Sequence, residues 1–471
     1  MEQDVTPELD GRSGDETSLE VDEFSSSSRG AKFLSDSVVT YATELLCAVL
    51  NLGTSVLVAR ILGPSGRGVY AVLVLIPVTM QHLGNLGLAQ GVVHYLRKDP
   101  EGRGRRAANL IVAGALIGVP MALLAYFGLS AGWLEATRVA PEFVRRVIVF
   151  CVPLMLFNGY AQGYALAIDD LVKRNLLRLM ELGAYLIAVV ILLVGLDRGL
   201  EGAVLAWACG VVATSILGLA FLLPEAAKTR FLPDVARFKL DLTFGLQGYV
   251  ASLSGFLLYR ADQYLVAYFL DSASVGHYSV AAALMQVILI LPIAIDQAFL
   301  PKVTAQYAES GGQEAMTPVV SRLSILVTGI ITVIMALGAY PMLYLLYGVD
   351  YLPAVGALLV LLAMAPLTGS AVVIMAALQA RAAQIWNSGA ALAGFAANFL
   401  LDLFLIPTLG IEGAALGSCI AYGVTLLVLG KAFTRIDTHV SLGELFIPRR
   451  TEWDLLVRAL KSMVGKALKR S

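Results

Sequence analysis

Apolar residues in this chain come in runs of about twenty, separated by short polar breaks, and each run is long enough for a helix to cross a ~30 Å hydrocarbon core. The pattern predicts about twelve spans. Six fall near 37–61, 68–95, 107–130, 144–168, 176–196 and 200–223, and six near 243–270, 275–300, 320–346, 352–380, 385–408 and 411–433. A polar connector, 224–241, lies almost at the middle of the chain. The predicted fold class is all-α integral membrane, with an N-terminal six-helix bundle over 36–223 and a C-terminal one over 242–434.

The two halves repeat. Gly68-Val69-Tyr70-Ala71-Val72 returns as Gly276-His277-Tyr278-Ser279-Val280, and Gly199-Leu200-Glu201-Gly202-Ala203 returns as Gly410-Ile411-Glu412-Gly413-Ala414. The two offsets nearly agree. An even number of spans per half gives both halves one orientation, so an axis along the membrane normal should relate them, with a substrate cavity between.

Composition agrees with the pattern: 58% hydrophobic, 15% charged and a mean hydropathy of +0.76 place the chain outside the soluble globular class. The net charge of −1 carries little information, because the charges are segregated. Lys and Arg crowd the connectors after spans two and four and the central connector, and are missing after spans seven, nine and eleven, which places both termini in the cytoplasm. Arg138, Arg145 and Arg146 run against that trend. Residues 1–35 hold nine acidic and three basic residues, the reverse of a signal peptide, and read as a disordered acidic cytoplasmic tail. Residues 435–471 read as a cytoplasmic tail ending in a basic amphipathic helix, with Leu456, Leu460 and Met463 on one stripe and Arg458 and Lys461 beside it.

The informative residues are the polar ones inside spans, where a charge costs at least a few kcal/mol. Arg260, Asp262 and Gln263 interrupt span seven. Arg260 and Asp262 stand about 200° apart on a helix, so one should face the lumen and the other a neighbouring helix; Arg260, ~15 Å from the outer end, is the lumenal candidate. Span one lines up Thr40, Glu44, Asn51 and Ser55 on one face. Asn158 and Gln162 in span four, and Asn398 and Asp402 in span eleven, each lie one turn apart. The substrate-pathway candidates are Arg260, Gln263, Glu44, Asn51, Asn158, Gln162 and Asn398, against the plainer reading of the amides as hydrogen bonds between helices. Candidates for ion coupling are Asp262, Asp296, Asp402 and Glu181.

Catalysis finds no support. There is no G-x-x-x-x-G-K-[ST] loop, and Gly128-Leu129-Ser130-Ala131-Gly132 matches a nucleophile elbow only at the end of an apolar helix. The histidines His82, His94, His277 and His439 are scattered, and the four cysteines lie inside apolar runs without metal or disulfide spacing. No catalytic residue, metal, cofactor or nucleic-acid partner is expected.

Four stretches resemble the polysaccharide-exporting flippase family of the multidrug/oligosaccharidyl-lipid/polysaccharide (MOP) transporter superfamily. They are Ala59-Arg60-Ile61-Leu62-Gly63-Pro64 with Gly68-Val69-Tyr70, Arg260-Ala261-Asp262-Gln263 running to Tyr278, Leu346-Tyr347-Gly348 with Tyr351-Leu352-Pro353-Ala354, and Asn398 with Leu405-Ile406-Pro407 and Gly410-Ile411-Glu412-Gly413-Ala414-Ala415. Asp271 departs from the glycine expected there. The resemblance covers roughly 35–435. It implies two six-helix bundles around a central cavity open alternately to each side. The implied cargo is a polyprenyl-diphosphate-linked oligosaccharide moved from the inner to the outer leaflet of the cell membrane. Membrane lipids, and a glycan polymerase or glycosyltransferases, are the implied partners. An arginine suits a diphosphate, and amides suit sugars. The alternatives are a cation-coupled small-molecule exporter of the same superfamily, with Glu44, Asp262 or Asp402 as its site, and a non-transporting scaffold for a glycan-synthesis complex.

Overall fold

The computed structural model describes residues 15–309, 316–454 and 456–458. The chain forms two compact units, Met1–Leu46 and Cys47–Ser471. In the first, the chain is helical from Asp15, the start of α1 (Asp15–Asn85), where composition suggests a disordered tail. Asp15, Glu16 and Glu20 open that helix, where the helix dipole favours negative charge. Residues 1–14 and most of the expected C-terminal amphipathic helix, from 459 on, lie outside the described residues.

The second unit is all-helical among the described residues. After α1 come α2 (Leu88–Leu96), α3 (Arg103–Ala131), α4 (Glu135–Val139), α5 (Glu142–Ala167), α6 (Leu171–Val189) and α7 (Gly199–Ala227). The second half holds α8 (Val235–Phe269), α9 (Ser272–Glu309), α10 (Met316–Tyr347), α11 (Ala354–Leu362), α12 (Met364–Ala380), α13 (Gln384–Leu409), α14 (Ile411–Ile436) and α15 (Leu442–Phe446). Among the described residues nine helical stretches are long and apolar enough to cross a membrane, fewer than the pattern predicts. Two of them are very long and interrupted: Ala42–Asn85 breaks at Gly63 (φ 66°), and Gln384–Ile436 breaks at Gly410 (φ 65°), a left-handed backbone that glycine adopts without strain. The 35-residue α8 is not among the nine. It carries Lys239, Asp241, Arg260 and Asp262 between its apolar residues.

Both sequence repeats have structural counterparts. Gly199 and Gly410, each with positive φ, precede helices of the same register, and Gly202 and Gly413 each lie against a carbonyl of the preceding helix, Leu192 and Leu405. Gly68 and Gly276 meet each other's neighbourhood directly. A Cβ on Gly68 would fall 1.7 Å from the Ser272 carbonyl oxygen, and one on Gly276 would fall 2.0 Å from that of Pro64. Pro64 and Ser272 stand at the same offset as the two glycines, so the contact is isologous, as across a two-fold axis.

Three clusters make the core. The largest joins the halves at this glycine end, with Val69, Leu73, Trp207, Tyr278, Leu343, Tyr351 and Ala414 all buried within it. Away from it the halves have separate cores, one around Leu96, Leu110, Tyr160 and Leu222, the other around Val303, Leu378, Leu429 and Phe433. Many of these residues are alanines, which let helices approach closely where apolar burial alone gives no preference for protein over lipid.

At the separately cored end, a charge network ties the first half to the start of α8. Arg106, 2% exposed, donates from Nε to both oxygens of Asp241 (3.2 and 3.1 Å) and from Nη1 to Asp99 (3.0 Å). Arg237 bonds Asp99 (2.9 Å) and Asp234 (2.7 Å), and Arg105 also reaches Asp234 (3.1 Å). Hydrogen bonds from Arg237 hold the Asp99 and Asp234 carboxyls below the usual carboxylate range, with Arg106 adding to the first and Arg105 to the second. In the second half, Arg322 on α10 pairs with Glu452 (2.7 Å) and donates to the Glu444 carbonyl, docking the segment after α14.

Candidate functional site

The site is built on α8, the helix that adjoins both halves. One side of α8 meets the first half: Tyr264 shares a hydrogen bond with Thr79 (2.6 Å), Tyr249 donates to the Leu83 carbonyl (2.8 Å), and Phe256 stacks on His82 at 3.9 Å. The same helix also presents Tyr259, Arg260, Asp262 and Gln263 to a pocket completed by Tyr278 and Gln286 of α9 and by Ser418 and Tyr422 of α14. The pocket is partly open and its cavity is small, about 20 Å³, room for little more than a water molecule in this form. Its walls come from the second half.

Arg260 and Asp262 turn different ways, yet both border this space. Asp262 is buried. It accepts from the Tyr278 hydroxyl (2.5 Å), the Ser418 hydroxyl (3.1 Å) and the Gln263 backbone N–H (2.7 Å). Arg260 is half-buried, lies 4.9 Å over the Tyr259 ring, and donates to the Gln263 side-chain oxygen at 3.3 Å. Among the described residues no carboxylate comes within ion-pair distance of its guanidinium. A guanidinium has five N–H donors in a planar fork, and most of those here have no protein acceptor.

Asn398 and Asp402 lie one helical turn apart on α13, both fully buried, with the amide donating to the carboxylate at 3.2 Å. The remaining Oδ1 of each is buried without a partner. Asp402 packs against Gly417, next to the Ser418 that holds Asp262, so the two acids approach from α13 and α8 onto the same turn of α14. No group of three His, Cys, Asp or Glu fit for a metal ion occurs among the described residues. Two carboxylates, an amide oxygen and a hydroxyl can still hold a proton or a monovalent cation.

The other sequence candidates are not brought to this pocket. Asn158 is buried between α5 and α7, where it donates to the Val211 carbonyl (3.1 Å) and accepts from Ser215 (2.9 Å), so that much of its capacity is used in helix packing. Gln162 is half-buried on α5 and Asn51 is exposed on α1. Glu44 is half-buried in the first unit, and Glu181 is half-buried on α6, within electrostatic reach of Arg178. The side chain of Asp296 lies outside the described residues. The Cys residues are free thiols, and Gly132 is the left-handed cap ending α3, as suits an elbow-like motif without chemistry. Gln286, Ser418 and Tyr422 were not foreseen. Only Tyr278, inside the repeated glycine–tyrosine motif, carried a signal in the sequence.

The sequence matches the polysaccharide biosynthesis protein family over residues 33–307. No curated protein matches. Among solved structures, an inward-facing multidrug resistance MATE family transporter of the MOP superfamily is similar at a TM-score of 0.69 and 17% identity, over 84% of this chain and 96% of that one. Lipid II flippase MurJ in an inward closed conformation is similar at 0.69 and 16%, over 90% of this chain and 96% of that one. A MOP superfamily transporter from Pyrococcus furiosus Vc1, described as having a binding pocket of reverse polarity, is similar at 0.62 and 16%, over 85% and 94%. The chain therefore has the fold of MOP superfamily transporters, and the resemblance drawn from its four stretches is borne out.

Proposed function

This chain belongs to the polysaccharide biosynthesis protein family, and on that premise we propose that it is a flippase for a polyprenyl-diphosphate-linked oligosaccharide. It carries that lipid from the inner to the outer leaflet of the cell membrane by alternating access, for surface polysaccharide assembly. The observation that carries this reading is Arg260, a guanidinium that no carboxylate among the described residues pairs with, in a pocket that Asp262 borders from another direction. A diphosphate supplies the missing acceptors in the paired geometry the fork favours. In this form the pocket is too small for a diphosphate, which would enter only as the surrounding helices part; Gln263 and Gln286 border it for the first sugar contacts, while the polyprenyl tail stays in lipid.

The fold supports the same reading at finer grain. Dividing the two interrupted stretches at Gly63 and Gly410 and adding α8 turns nine apolar stretches into twelve spans, six in each half. The isologous Gly68/Gly276 contact supports a pseudo-two-fold axis between two bundles. The Lys/Arg bias supports cytoplasmic termini, which makes the Gly68 end the outer one and the Arg106 network the inner one. Asp262, Asn398, Asp402 and Ser418 form the coupling site, where a cation or proton would satisfy the orphaned oxygens. Glu181 and Asp296 are outside it and are weaker candidates for coupling. A glycosyltransferase would supply the substrate and a glycan polymerase would consume the product.

The buried acid pair also favours a second reading, a cation-coupled small-molecule exporter with Arg260 in a structural role. The deciding experiment is the pool of polyprenyl-linked glycans in cells lacking this protein, resolved by mass and by leaflet. A flippase leaves one lipid-linked oligosaccharide piled up on the cytoplasmic side. An unchanged pool together with heightened drug susceptibility overturns the flippase reading in favour of the exporter.

A further inference from the structure

Arg67 shares with Arg260 the property that sets that residue apart. Among the described residues, Arg106, Arg322 and Arg381, which are buried or nearly so, each face a carboxylate. Arg67, half-buried behind the Gly68 contact, faces none. Its Nη2 donates to Ser55 Oγ at 3.3 Å, its guanidinium lies 5.4 Å from the centre of the Tyr70 ring, and its Nε is buried without a partner. The surroundings are neutral hydroxyls. Ser55 Oγ lies 3.4 Å from the Tyr347 hydroxyl, Tyr70 and Tyr185 share a 2.6 Å hydrogen bond, and Tyr351 donates to the Ala59 carbonyl. Hydroxyls satisfy hydrogen bonds but do not neutralise a cation, and a partly desolvated arginine held this way is costly unless a transient anion uses it.

The position gives the anion a time of arrival. Ser55 belongs to the first half and Tyr347 to the second, so their contact, like Gly68 on Ser272, exists only while the halves are closed at this end. Parting the halves uncovers the Arg67 donors together with two hydroxyls. Arg260 lies nine residues before the end of α8, about 14 Å further in at 1.5 Å per residue. We propose that Arg67, Ser55 and Tyr347 form a second phosphate-binding subsite at the outer end, which receives the diphosphate of the lipid-linked substrate after it leaves Arg260. This rests on the flippase reading above. Affinity that exists only in the open form draws the cargo outward, because a ligand shifts a conformational equilibrium by its differential affinity for the two states.

The test uses full-length protein in nanodiscs with inorganic pyrophosphate as probe, in a Gly276→Leu background. That side chain would strike the Pro64 carbonyl and hold the outer end open. Arg67→Gln should weaken pyrophosphate binding about tenfold there and leave it unchanged in the wild-type background, with Arg67→Lys intermediate. Displacement of pyrophosphate by polyprenyl diphosphate supports the subsite; displacement by phosphatidylglycerol but not by polyprenyl diphosphate overturns the hand-over. Should Gly276→Leu fail to fold, export in cells serves instead: Arg67→Gln should slow appearance of product outside while loading at the inner leaflet is retained. Wild-type export in Arg67→Gln, with export abolished in Arg260→Ala, overturns the outer subsite alone. Wild-type export in Arg260→Ala overturns the reading beneath it.

Discussion

Two arginines in this protein are set into its helices in opposite ways. Arg106 is almost fully buried, with two carboxylates on its guanidinium and a network of further ion pairs around them. Arg260 lies half-buried beside a pocket, over an aromatic ring, bonded to one side-chain amide and, among the described residues, in no ion pair. The first arrangement is complete and resists change, because removing either partner strands a buried charge. The second is incomplete, and under the proposed function a phosphate of the substrate completes it. Burial alone does not separate a structural arginine from a functional one; whether its counter-charge is built into the chain does.

The comparison breaks most directly at Arg260. Arg260→Ala should reduce export of the lipid-linked glycan about a hundredfold or more, the loss of a bidentate charged contact, with no fall in melting temperature. Arg260→Lys should restore only part, since a single ammonium lacks the fork. Surface polysaccharide and thermal unfolding measured on the same variants check both halves of the claim. Arg106→Ala should do the converse, destabilising the protein by about 3–5 kcal/mol by leaving Asp241 buried and unpaired. Replacing both partners, Arg106→Met with Asp241→Leu, should recover most of that loss in a denaturation series. A double variant no more stable than the single one would show that the pair matters for more than compensation.

Much of this contrast was legible in the sequence, and the illegible part has a physical reason. Long apolar runs announce spans because a bilayer admits little else, and the Gly68 and Gly276 repeat proved to be a real contact between halves. Arg260, Asp262 and Asn398 with Asp402 stood out because charge inside such runs is rare. What the sequence withheld was partnership. Asn158 and Asn398 look alike in isolation, but the first meets Val211 and Ser215 while the second keeps an unpaired oxygen beside Asp402. Helix periodicity gives the face a residue occupies, not the neighbour that faces it. For the same reason Ser418 escaped notice: a serine in an apolar helix is ordinary until a carboxylate from α8 arrives against it.

A smaller effect is expected at the acid pair. Asp402→Asn keeps the shape of α13 and removes one of the two carboxyl groups converging on α14. Export should fall about tenfold and lose its dependence on the driving cation gradient, while pyrophosphate binding at Arg260 stays intact. Transport in proteoliposomes under imposed sodium or proton gradients reads this directly. Unchanged gradient dependence would move coupling elsewhere, with Glu181 the next residue to test.

The smallest effect sharpens the structural side of the comparison through pH. Asp99 and Asp234 have carboxyl groups held below their usual range by hydrogen bonds from Arg237, so the folded state binds protons less readily than the unfolded chain. Their contribution is fully present above about pH 4, where unfolded carboxylates are ionised, and is lost as pH falls through the lowered folded values. Both groups are partly exposed, at 34% and 14%, so solvent screening limits the contribution to about 1 kcal/mol or less. The melting-temperature difference between wild type and Arg237→Gln should therefore be flat from about pH 7 to 8, change near pH 6 where Asp241, pushed up to about 6 by burial, also feels Arg237, and shrink below about pH 4 as Asp99 and Asp234 protonate. A difference that did not shrink below about pH 4 would show that Arg237 does not hold these two carboxyls below their usual range.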